Sequence, residues 1–271
     1  MAIRDVNFEN PALLPPKRGL PESIAIIGAG TIGPDIGYYL KSALPDLELV
    51  LIDINPEALE KAEARIHAYK EKGVARGKIS AQLAEKIGTK IVTSTDYAAL
   101  AHCDWVLEAA TENLDLKRKI FSDVEALIRP DALITSNTSS LPADRLFSHL
   151  EHPERTSVTH FFTPAFKNPA VEVVEWAKSD LEVVDYLRWF FYRTGKVPMV
   201  TDDVVCFMLD RIFDNWCNEA GLLLEDATPA EVDSVTFEFV HAGPFFVLNM
   251  ANGNPIIIET NTLQMEEEGE H

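Results

Sequence analysis

The stretch Gly28-Ala29-Gly30-Thr31-Ile32-Gly33 decides the fold of this chain. Its GxGxxG spacing occurs by chance in many sequences, so its meaning depends on what flanks it. A short apolar, β-branched run from Ser23 to Ile27 precedes it, and a longer apolar run from Ile36 to Leu44 follows it. The first run is typical of a buried parallel strand and the second of a helix. The six residues are therefore predicted to form the strand-to-helix turn of a dinucleotide-binding unit.

Each residue of this glycine loop has an expected task. Gly28 allows a tight turn, Gly30 lets the backbone approach a pyrophosphate, and Gly33 lets the helix lie close to the sheet. Thr31 and Ile32 complete the loop. Amide groups at the helix N-terminus then face the phosphates, because they lack partners within the helix. We expect these five residues to contact the cofactor.

A carboxylate follows the next predicted strand. The apolar run from Leu47 to Ile52 ends in Asp53. At this distance from the glycine loop of a Rossmann fold, a carboxylate binds the adenosine ribose hydroxyls and repels a 2′-phosphate. The position therefore favours NAD over NADP. An Asp shortly before Asn55-Pro56 is also typical of a helix cap, and this alternative stays open.

The composition limits the class of partner. The 271 residues have a formal net charge of −19 at pH 7, and 46% of them are hydrophobic, enough for a sizeable core. So acidic a protein repels phosphate-rich surfaces, and we expect neither nucleic acid nor an anionic membrane as partner. We also expect no signal peptide and no transmembrane segment.

The cysteines bear on the redox compartment. Cys103, Cys206 and Cys217 show no CxxC spacing. Their small, odd number argues against a disulfide framework and against a zinc site. We therefore expect no metal centre and a cytoplasmic location.

One segment is basic within this acidic chain. Interspersed glutamates at helical spacing favour a solvated helix face. The alternative is a landing site for an anionic substrate tail, and both interpretations stay open. The basic residues are Lys61, Arg65, Lys70, Lys72, Arg76 and Lys78.

Strand-like runs alternate with helical patterns after Asp53. This alternation predicts a doubly wound parallel sheet with helices on both faces. Helical segments are expected over Pro56 to Lys72, Leu114 to Ile128 and Asp180 to Arg193. The later strands are expected over Lys90 to Thr93, Trp105 to Ala109, Ala132 to Ser136, Glu154 to Phe162, Val171 to Trp176 and Lys196 to Thr201.

The fold class that follows is α/β, a Rossmann-type doubly wound parallel sheet with a smaller all-α C-terminal domain. We expect an irregular extension over residues 1–22, an NAD-binding domain over 23–202 and a helical domain over 203–271. Helices are predicted from Val205 to Glu225 and from Pro229 to His241 in the last of these.

Four further motifs follow the glycine loop and Asp53 along the chain. They are Glu108-Ala109-Ala110-Thr111-Glu112-Asn113, Ser136-Asn137-Thr138-Ser139-Ser140-Leu141, His160-Phe161-Phe162 and Val171-Glu172-Val173-Val174. In this order the motifs resemble the 3-hydroxyacyl-CoA dehydrogenase family over about Ile24 to Asn254. The joint spacing of Ser139, His160 and Glu172 is the most specific part of the resemblance.

The resemblance implies roles for individual residues. His160 is the base that removes the hydroxyl proton as hydride leaves the 3-carbon for NAD, and Glu172 holds its imidazole. Ser139 contacts substrate and nicotinamide, while Glu112 and Lys117 lie along the cofactor. A carboxylate beside a histidine suits this chemistry, since it fixes the tautomer and makes the imidazole a stronger base.

Simpler interpretations exist for two of these motifs. Glu112 and Lys117 match an acid and a base in the first turns of a helix. The run from Ser136 to Ser140 matches an N-cap cluster before Pro142. Polar residues at the carboxyl end of a parallel strand are nevertheless where ligands bind.

The chain departs from the family pattern at several positions. The family's Asp-x-Pro-Gly-Phe-x-x-Asn-Arg run lacks its Pro-Gly pair here, and Asp210 replaces the asparagine. An ionised Asp only accepts hydrogen bonds, so Asp210 is expected to serve catalysis as a protonated donor. Thr163 replaces an asparagine after His160-Phe161-Phe162, and we count it among the cofactor contacts. Asp35 places a negative charge near the expected pyrophosphate, which is expected to weaken NAD binding.

The function expected is NAD-dependent oxidation of a 3-hydroxyacyl-CoA to the 3-oxoacyl-CoA, as in fatty acid β-oxidation, with an acyl-CoA as the small-molecule partner. The alternatives are a dehydrogenase of another 3-hydroxy acid or a carnitine-like substrate, and a non-catalytic NAD-binding protein.

We expect a homodimer through the C-terminal helices. The 69 residues from Asp203 to His271 are fewer than the helical domain of the family usually has. Their aromatic content exceeds what so short a segment needs for a core. The aromatic residues are Phe207, Phe213, Trp216, Phe237, Phe245 and Phe246.

Overall fold

Residues 16–250 and 262–266 are described in a computed structural model of the chain. They form two units. The first runs to Thr138 and resumes over Ala143–Asp202, and the second combines Ser139–Pro142 with the residues from Asp203 onward. The domain ranges expected from the sequence stay predictions, and most of the expected extension over 1–22 lies outside the described residues.

The first unit is built on one eight-stranded sheet. Its strands are β1 Ser23–Ile27, β2 Glu48–Ile52, β3 Ile91–Ser94, β4 Trp105–Glu108, β5 Leu133–Ser136, β6 Thr156–Phe161, β7 Ala170–Glu175 and β8 Val197–Asp202. The strand order is β3-β2-β1-β4-β5-β6-β7-β8. Neighbours from β3 to β6 in this order pair in parallel. All the strands expected from the sequence are present, with their ends shifted by one or two residues.

Helices cover this sheet. The helices of the first unit are α1 Gly33–Ala43, α2 Pro56–Ala75, α3 Ala81–Ile87, α4 Leu114–Glu125, α5 Ala143–Phe147 and α6 Leu181–Arg193. The main apolar core joins β1, β2, α1, α2 and α6. Within it the rings of Trp105, Phe161, Phe190 and Phe191 pack edge to face, a favoured geometry for aromatic pairs.

The glycine loop lies at the switch point of the sheet. Strand β1 pairs with β2 on one side and with β4 on the other. The chain therefore leaves β1 in one direction and later returns to its other side, which opens a crevice at the carboxyl ends of these strands. The predicted Rossmann fold is confirmed by this topology.

One strand departs from the predicted parallel sheet. Strand β7 pairs antiparallel with β6, and β8 then pairs parallel with β7. The eight residues from Phe162 to Pro169 contain no helix, and a parallel partner would need a longer crossover. The expectation that β7 continues the parallel sheet was therefore wrong. The antiparallel register places His160 directly opposite Glu172.

The second unit is helical in its described part. It contains α7 Leu209–Leu222, α8 Pro229–Thr236, α9 Pro244–Met250 and a short helix over residues 262–266. Thr228 and Glu231 form a capping box at the start of α8, which confirms the predicted start signal. The expected C-terminal frayed end from residue 267 onward lies outside the described residues.

The predicted helix start at Val205 was wrong. Helix α7 begins at Leu209, because Cys206 and Phe207 have positive φ values of 61° and 49°. A left-handed residue ends a right-handed helix, and glycine adopts that backbone most easily. With Asp203 and Arg211 as the ends of the family motif, Cys206 stands at the position of its glycine. The turn thus keeps a glycine-like backbone without the glycine.

Candidate active site

The glycine loop has the shape that its sequence predicts. Gly28 has a φ of +109°, and a Cβ there would lie 2.4 Å from the carbonyl oxygen of Ala109. A Cβ on Gly33 would lie 2.0 Å from the carbonyl oxygen of Gly28. A Cβ on Gly30 would meet nothing within 4 Å. Gly28 and Gly33 are thus required by the fold, whereas Gly30 borders open space.

This open space fits a pyrophosphate. Ile32, the N-cap of α1, makes no side-chain capping hydrogen bond. Pro34 has no amide hydrogen, so the backbone donors of the first turn of α1 are Gly33 and Asp35, and the helix dipole favours negative charge there. Gly30 and Thr31 are exposed beside this helix end and Ile32 is half-buried. The roles of the loop residues as cofactor contacts stay predictions.

Asp53 lies at the end of β2 beside this loop. Its Oδ2 accepts a hydrogen bond from the Ala29 amide at 2.8 Å, and its Oδ1 accepts one from the Asn55 amide at 2.9 Å. Asn55 is the N-cap of α2, since its side chain accepts from the Glu57 amide. The alternative of Asp53 as the helix cap was therefore wrong. A carboxylate has about four acceptor sites, so two remain for ribose hydroxyls.

A buried charge network lies at the ends of β4 and β5. The Lys117 ammonium contacts Glu108 Oε1 at 2.7 Å and Glu112 Oε2 at 3.2 Å. The Ser136 hydroxyl donates to Glu108 Oε2 at 2.6 Å, and the Thr138 hydroxyl donates to Glu112. Lys117, Glu108 and Ser136 are buried. The network joins the start of α4 to the ends of two central strands.

Electrostatics keep this network charged. Burial alone lowers the pKa of the Lys117 ammonium, but Glu108 and Glu112 outweigh it and raise the pKa above its ordinary value. Glu112 and Lys117 do lie at the start of α4, as the simpler interpretation has it, but Lys117 is buried and contacts Glu108 and Glu112, so the acid and the base also belong to this network.

Glu108 begins one of the motifs that carry the family resemblance, but the sequence analysis gave it no role. It ends the otherwise apolar strand Trp105–Glu108 and is fully buried. A carboxylate at the end of a buried strand requires a cation or several donors. That rule, with a lysine nine residues further on, is the signal that could have found the pair.

His160 and Glu172 form a buried pair across β6 and β7. The Nδ1 of His160 lies 2.8 Å from Glu172 Oε2, and both side chains are buried. A carboxylate only accepts, so the Nδ1 of a neutral imidazole carries the proton and Nε2 carries the lone pair. The structure thus brings His160 and Glu172 together, as the sequence predicts. It also identifies Nε2 as the nitrogen of His160 that can accept a proton.

Asn137 fixes the backbone next to this histidine. Its side-chain Oδ1 accepts a hydrogen bond from the Phe161 backbone amide at 2.9 Å, and its backbone amide donates to the Glu108 carbonyl at 2.7 Å. Asn137 follows β5 and so ties three neighbouring strand ends together. The Phe162 ring lies 4.3 Å from the imidazole, centroid to centroid.

The other predicted site residues are spread over both units. Thr163 is exposed just after β6, where it begins a cis peptide bond to Pro164. Ser139 and Asp210 belong to the second unit, where both are half-buried and Asp210 lies in the first turn of α7. Their catalytic and cofactor roles, like those of His160 and Glu172, stay predictions.

The basic segment lies on α2 and the loop after it. Lys61 lies 3.8 Å from Glu57, as a solvated helix face predicts, whereas Arg65 contacts Asp35 at 2.7 Å. Lys72, Arg76 and Lys78 are exposed, and both interpretations stay open for them.

The described residues show neither a membrane-spanning helix nor a metal site. In the part of the chain that the structure describes, no helix is both long and apolar enough to cross a bilayer. Across residues 16–250 and 262–266, no three or more metal-ligating side chains come together as a metal site would need.

The sequence range of this site matches a known family. Residues 23–204 match the profile of the 3-hydroxyacyl-CoA dehydrogenase, NAD-binding domain. This range contains the glycine loop, Asp53, the Lys117 network and the His160–Glu172 pair. The chain belongs to the 3-hydroxyacyl-CoA dehydrogenase family. The resemblance expected from the motifs is confirmed, and so is NAD as the cofactor of this domain.

Several relatives show how far the likeness extends. The 3-hydroxyadipyl-CoA dehydrogenase of Escherichia coli K12 is 34% identical over 215 residues, which is 79% of this chain and 45% of that protein. The crystal structure of 3-hydroxybutyryl-CoA dehydrogenase from the same species has a TM-score of 0.84 and 31% identity, and covers 89% of this chain and 52% of that one.

A third relative is nearer to this chain in length. The crystal structure of (S)-3-hydroxybutyryl-CoA dehydrogenase from Ralstonia eutropha has a TM-score of 0.85 and 26% identity, with 93% of this chain and 89% of that chain covered. The chain therefore spans about half the length of the two Escherichia coli relatives and most of the Ralstonia one.

Removal of the Lys117 charge tests the buried network. In Lys117→Met we expect the free energy of unfolding to fall by about 3–5 kcal/mol, because two carboxylates lose a buried counter-charge. Urea denaturation measures this change. Lys119→Met is the matched control, since Lys119 lies on the same helix and its exposed side chain contacts Asp123 at 2.6 Å. A loss below about 1 kcal/mol is expected there, and equal losses in the two variants would contradict the account.

Proposed function

We propose that this chain catalyses NAD-dependent oxidation of a 3-hydroxyacyl-CoA to the 3-oxoacyl-CoA, and the reverse reduction. The buried His160–Glu172 pair within an NAD-binding domain is the observation that carries the proposal. Family membership supports it, because the relatives named above are dehydrogenases of 3-hydroxyacyl-CoA substrates by their own names.

His160 acts as the general base in this proposal. Its Nδ1–H donates to Glu172, so Nε2 accepts the proton of the substrate 3-hydroxyl as the C3–H bond breaks. When bound, NAD supplies the acceptor for the hydride that leaves C3. The products are the 3-oxo ester, NADH and a protonated His160, which returns its proton to water.

Glu172 stabilises the imidazolium that forms. Both groups are buried, and a charge in such surroundings is costly without a partner. The negative carboxylate 2.8 Å away provides that partner only once the imidazole has gained its proton. The pair therefore stabilises the state after proton transfer more than the state before it, as a catalyst requires.

The remaining roles belong to the same proposal. Ser139 polarises the substrate oxygen, and Asp210 in its protonated form donates to it. Glu112, Lys117 and Thr163 line the cofactor. We further propose an acyl-CoA as the substrate and a cytoplasmic setting, the latter because Cys103 and Cys217 are buried thiols outside any disulfide, which suits a reducing compartment.

The activity test is NADH oxidation with acetoacetyl-CoA. We expect turnover by the native chain, none above background in His160→Ala, and a roughly 10²–10⁴-fold lower kcat in Glu172→Gln, which keeps the shape of the side chain but not its charge. Asp210→Asn is expected to keep or raise the rate, because an amide donates without first needing a proton.

A surface pair provides the control. His102 also contacts a glutamate, Glu48, but His102 is exposed and Glu48 is only half-buried. His102→Ala should therefore leave the rate unchanged. NADH binding without turnover in the native chain would overturn the proposed substrate and favour another 3-hydroxy acid or a non-catalytic role. Turnover that survives in His160→Ala would overturn the proposed base.

We also propose a homodimer through the second unit. Several apolar side chains on α7 to α9 and their connections are more than half exposed in the described residues, and such exposure marks interaction surfaces. Phe207, which the sequence suggested for the interface, is instead buried. The exposed residues are Ile212, Leu222, Leu223, Val235, Phe239 and Met250.

The dimer is tested by sedimentation equilibrium. The native chain is expected to sediment as a dimer, and Phe239→Asp to shift it toward monomer, because a charge at an apolar contact opposes its burial. Ile54→Asp is the control, since Ile54 is 89% exposed on the first unit. A monomeric native chain at micromolar concentration would refute the proposal.

A further inference from the structure

Arg65 joins the second helix to the glycine loop. One terminal nitrogen donates to the Thr31 carbonyl at 2.8 Å, and the other contacts Asp35 Oδ1 at 2.7 Å. Its Nε donates to the Tyr69 hydroxyl at 2.6 Å. The guanidinium is thus held at three points, one of them in the loop whose backbone faces the expected pyrophosphate.

Asp35 is the fixed end of this arrangement. It lies in the first turn of α1 with no exposed surface. Its Oδ1 also accepts from the Tyr69 hydroxyl at 2.9 Å, while its Oδ2 is buried without a hydrogen-bond partner. A buried carboxylate with one unsatisfied oxygen depends strongly on its counter-charge, so Asp35 holds Arg65 in place.

Asp35 therefore does not act as the isolated negative charge that the sequence suggested. Burial raises the pKa of its carboxyl above the ordinary value, and the hydrogen bond from Tyr69 and the charge of Arg65 offset this only in part. Arg65 contacts both this carboxylate and the Thr31 carbonyl. Of the two charged side chains, Asp35 has no exposed surface, whereas Arg65 is 35% exposed beside the loop.

The guanidinium retains donors for a ligand. Arginine has five N–H donors in a planar fork, and the hydrogen bonds to Thr31 and Tyr69 use two of them, while Asp35 forms an ion pair with a terminal nitrogen. The side chain is 35% exposed, so donors of the fork remain for a ligand that binds beside Thr31. Planar donors with fixed orientation are what phosphate oxygens bind best.

We propose that Arg65 binds a phosphate group of the NAD pyrophosphate, and that Asp35 is the positioning residue that orients it. The inference rests on NAD binding by the first unit and deepens it: the cofactor site includes a cation from α2 as well as the amides of the glycine loop. Asp35, one of the departures from the family pattern, is then part of a charge pair with Arg65.

The test compares two ligands that differ in their phosphates. Binding of ADP-ribose and of adenosine is measured by calorimetry for the native chain and for variants. In Arg65→Met we expect the dissociation constant of ADP-ribose to rise about tenfold or more, because a charge-assisted bidentate contact is lost. The dissociation constant of adenosine, which has no phosphate, should stay the same. Arg65→Lys, which keeps the charge without the fork, should fall in between.

A matched control distinguishes a direct contact between Arg65 and the phosphate from a long-range electrostatic effect of its charge. Lys61 lies one turn before Arg65 on α2, and its side chain is 80% exposed. Lys61→Met removes the same charge, and the ADP-ribose constant is expected to change less than about twofold, since exposed charges are screened. Equal losses in Lys61→Met and Arg65→Met would overturn the proposal.

Asp35→Asn tests the positioning role through the sign of its effect. Removal of a negative charge near an anion site strengthens anion binding if charge alone matters. Loss of the anchor for Arg65 weakens it. We expect weaker ADP-ribose binding with unchanged adenosine binding, and stronger binding would overturn the positioning role. Arg65→Met and Arg65→Lys decide the phosphate contact even where Asp35→Asn does not fold.

Two further outcomes also count against the proposal. Parallel losses for ADP-ribose and adenosine in Arg65→Met would show a disrupted loop and no phosphate contact. A change confined to the KM for a CoA ester would assign Arg65 to the other pyrophosphate-bearing ligand. No binding of ADP-ribose to the native chain would instead contradict the proposed dehydrogenase function itself.

Discussion

The hydrogen bond between His160 Nδ1 and Glu172 Oε2 is the interaction on which the proposed chemistry depends. It exists because β7 runs antiparallel to β6, which brings two residues twelve positions apart into direct register. Both side chains are buried, so neither finds compensation in solvent. The same sheet that forms the core therefore fixes the tautomer of the base.

Neighbouring strand ends hold this pair within a wider framework. Asn137 connects β5 to the backbone beside His160 and to β4 through the Glu108 carbonyl. Glu108 in turn binds Lys117 and Ser136. The base, the buried lysine and the strand ends are thus parts of one polar layer at the carboxyl edge of the sheet, where ligands of doubly wound folds bind. A buried polar group that lacks a hydrogen-bond partner destabilises the fold. Each polar residue in this layer is therefore accompanied by the partner that satisfies it.

Much of the first unit could be predicted from local signals. The glycine loop, the apolar strands and the spacing of His160 and Glu172 are patterns within short windows. The antiparallel direction of β7 was not predicted, because the direction of a strand depends on the whole connection before it, here from Phe162 to Pro169. The ion pairs Glu108–Lys117 and Asp35–Arg65 were not predicted, because the two residues of each pair lie on different elements of the fold. Cys206 in a left-handed turn has no sequence signal, since glycine is the residue expected there.

The tautomer of His160 tests the central claim most directly. Nitrogen-15 NMR of the histidine rings distinguishes Nδ1–H from Nε2–H, and His160→Gln identifies the signals by their loss. The account predicts Nδ1–H with an unprotonated Nε2 in the neutral ring of the native chain, and loss of this preference in Glu172→Ala. An Nε2–H tautomer in the native chain would contradict it, because that ring offers no lone pair at Nε2 for the substrate hydroxyl proton.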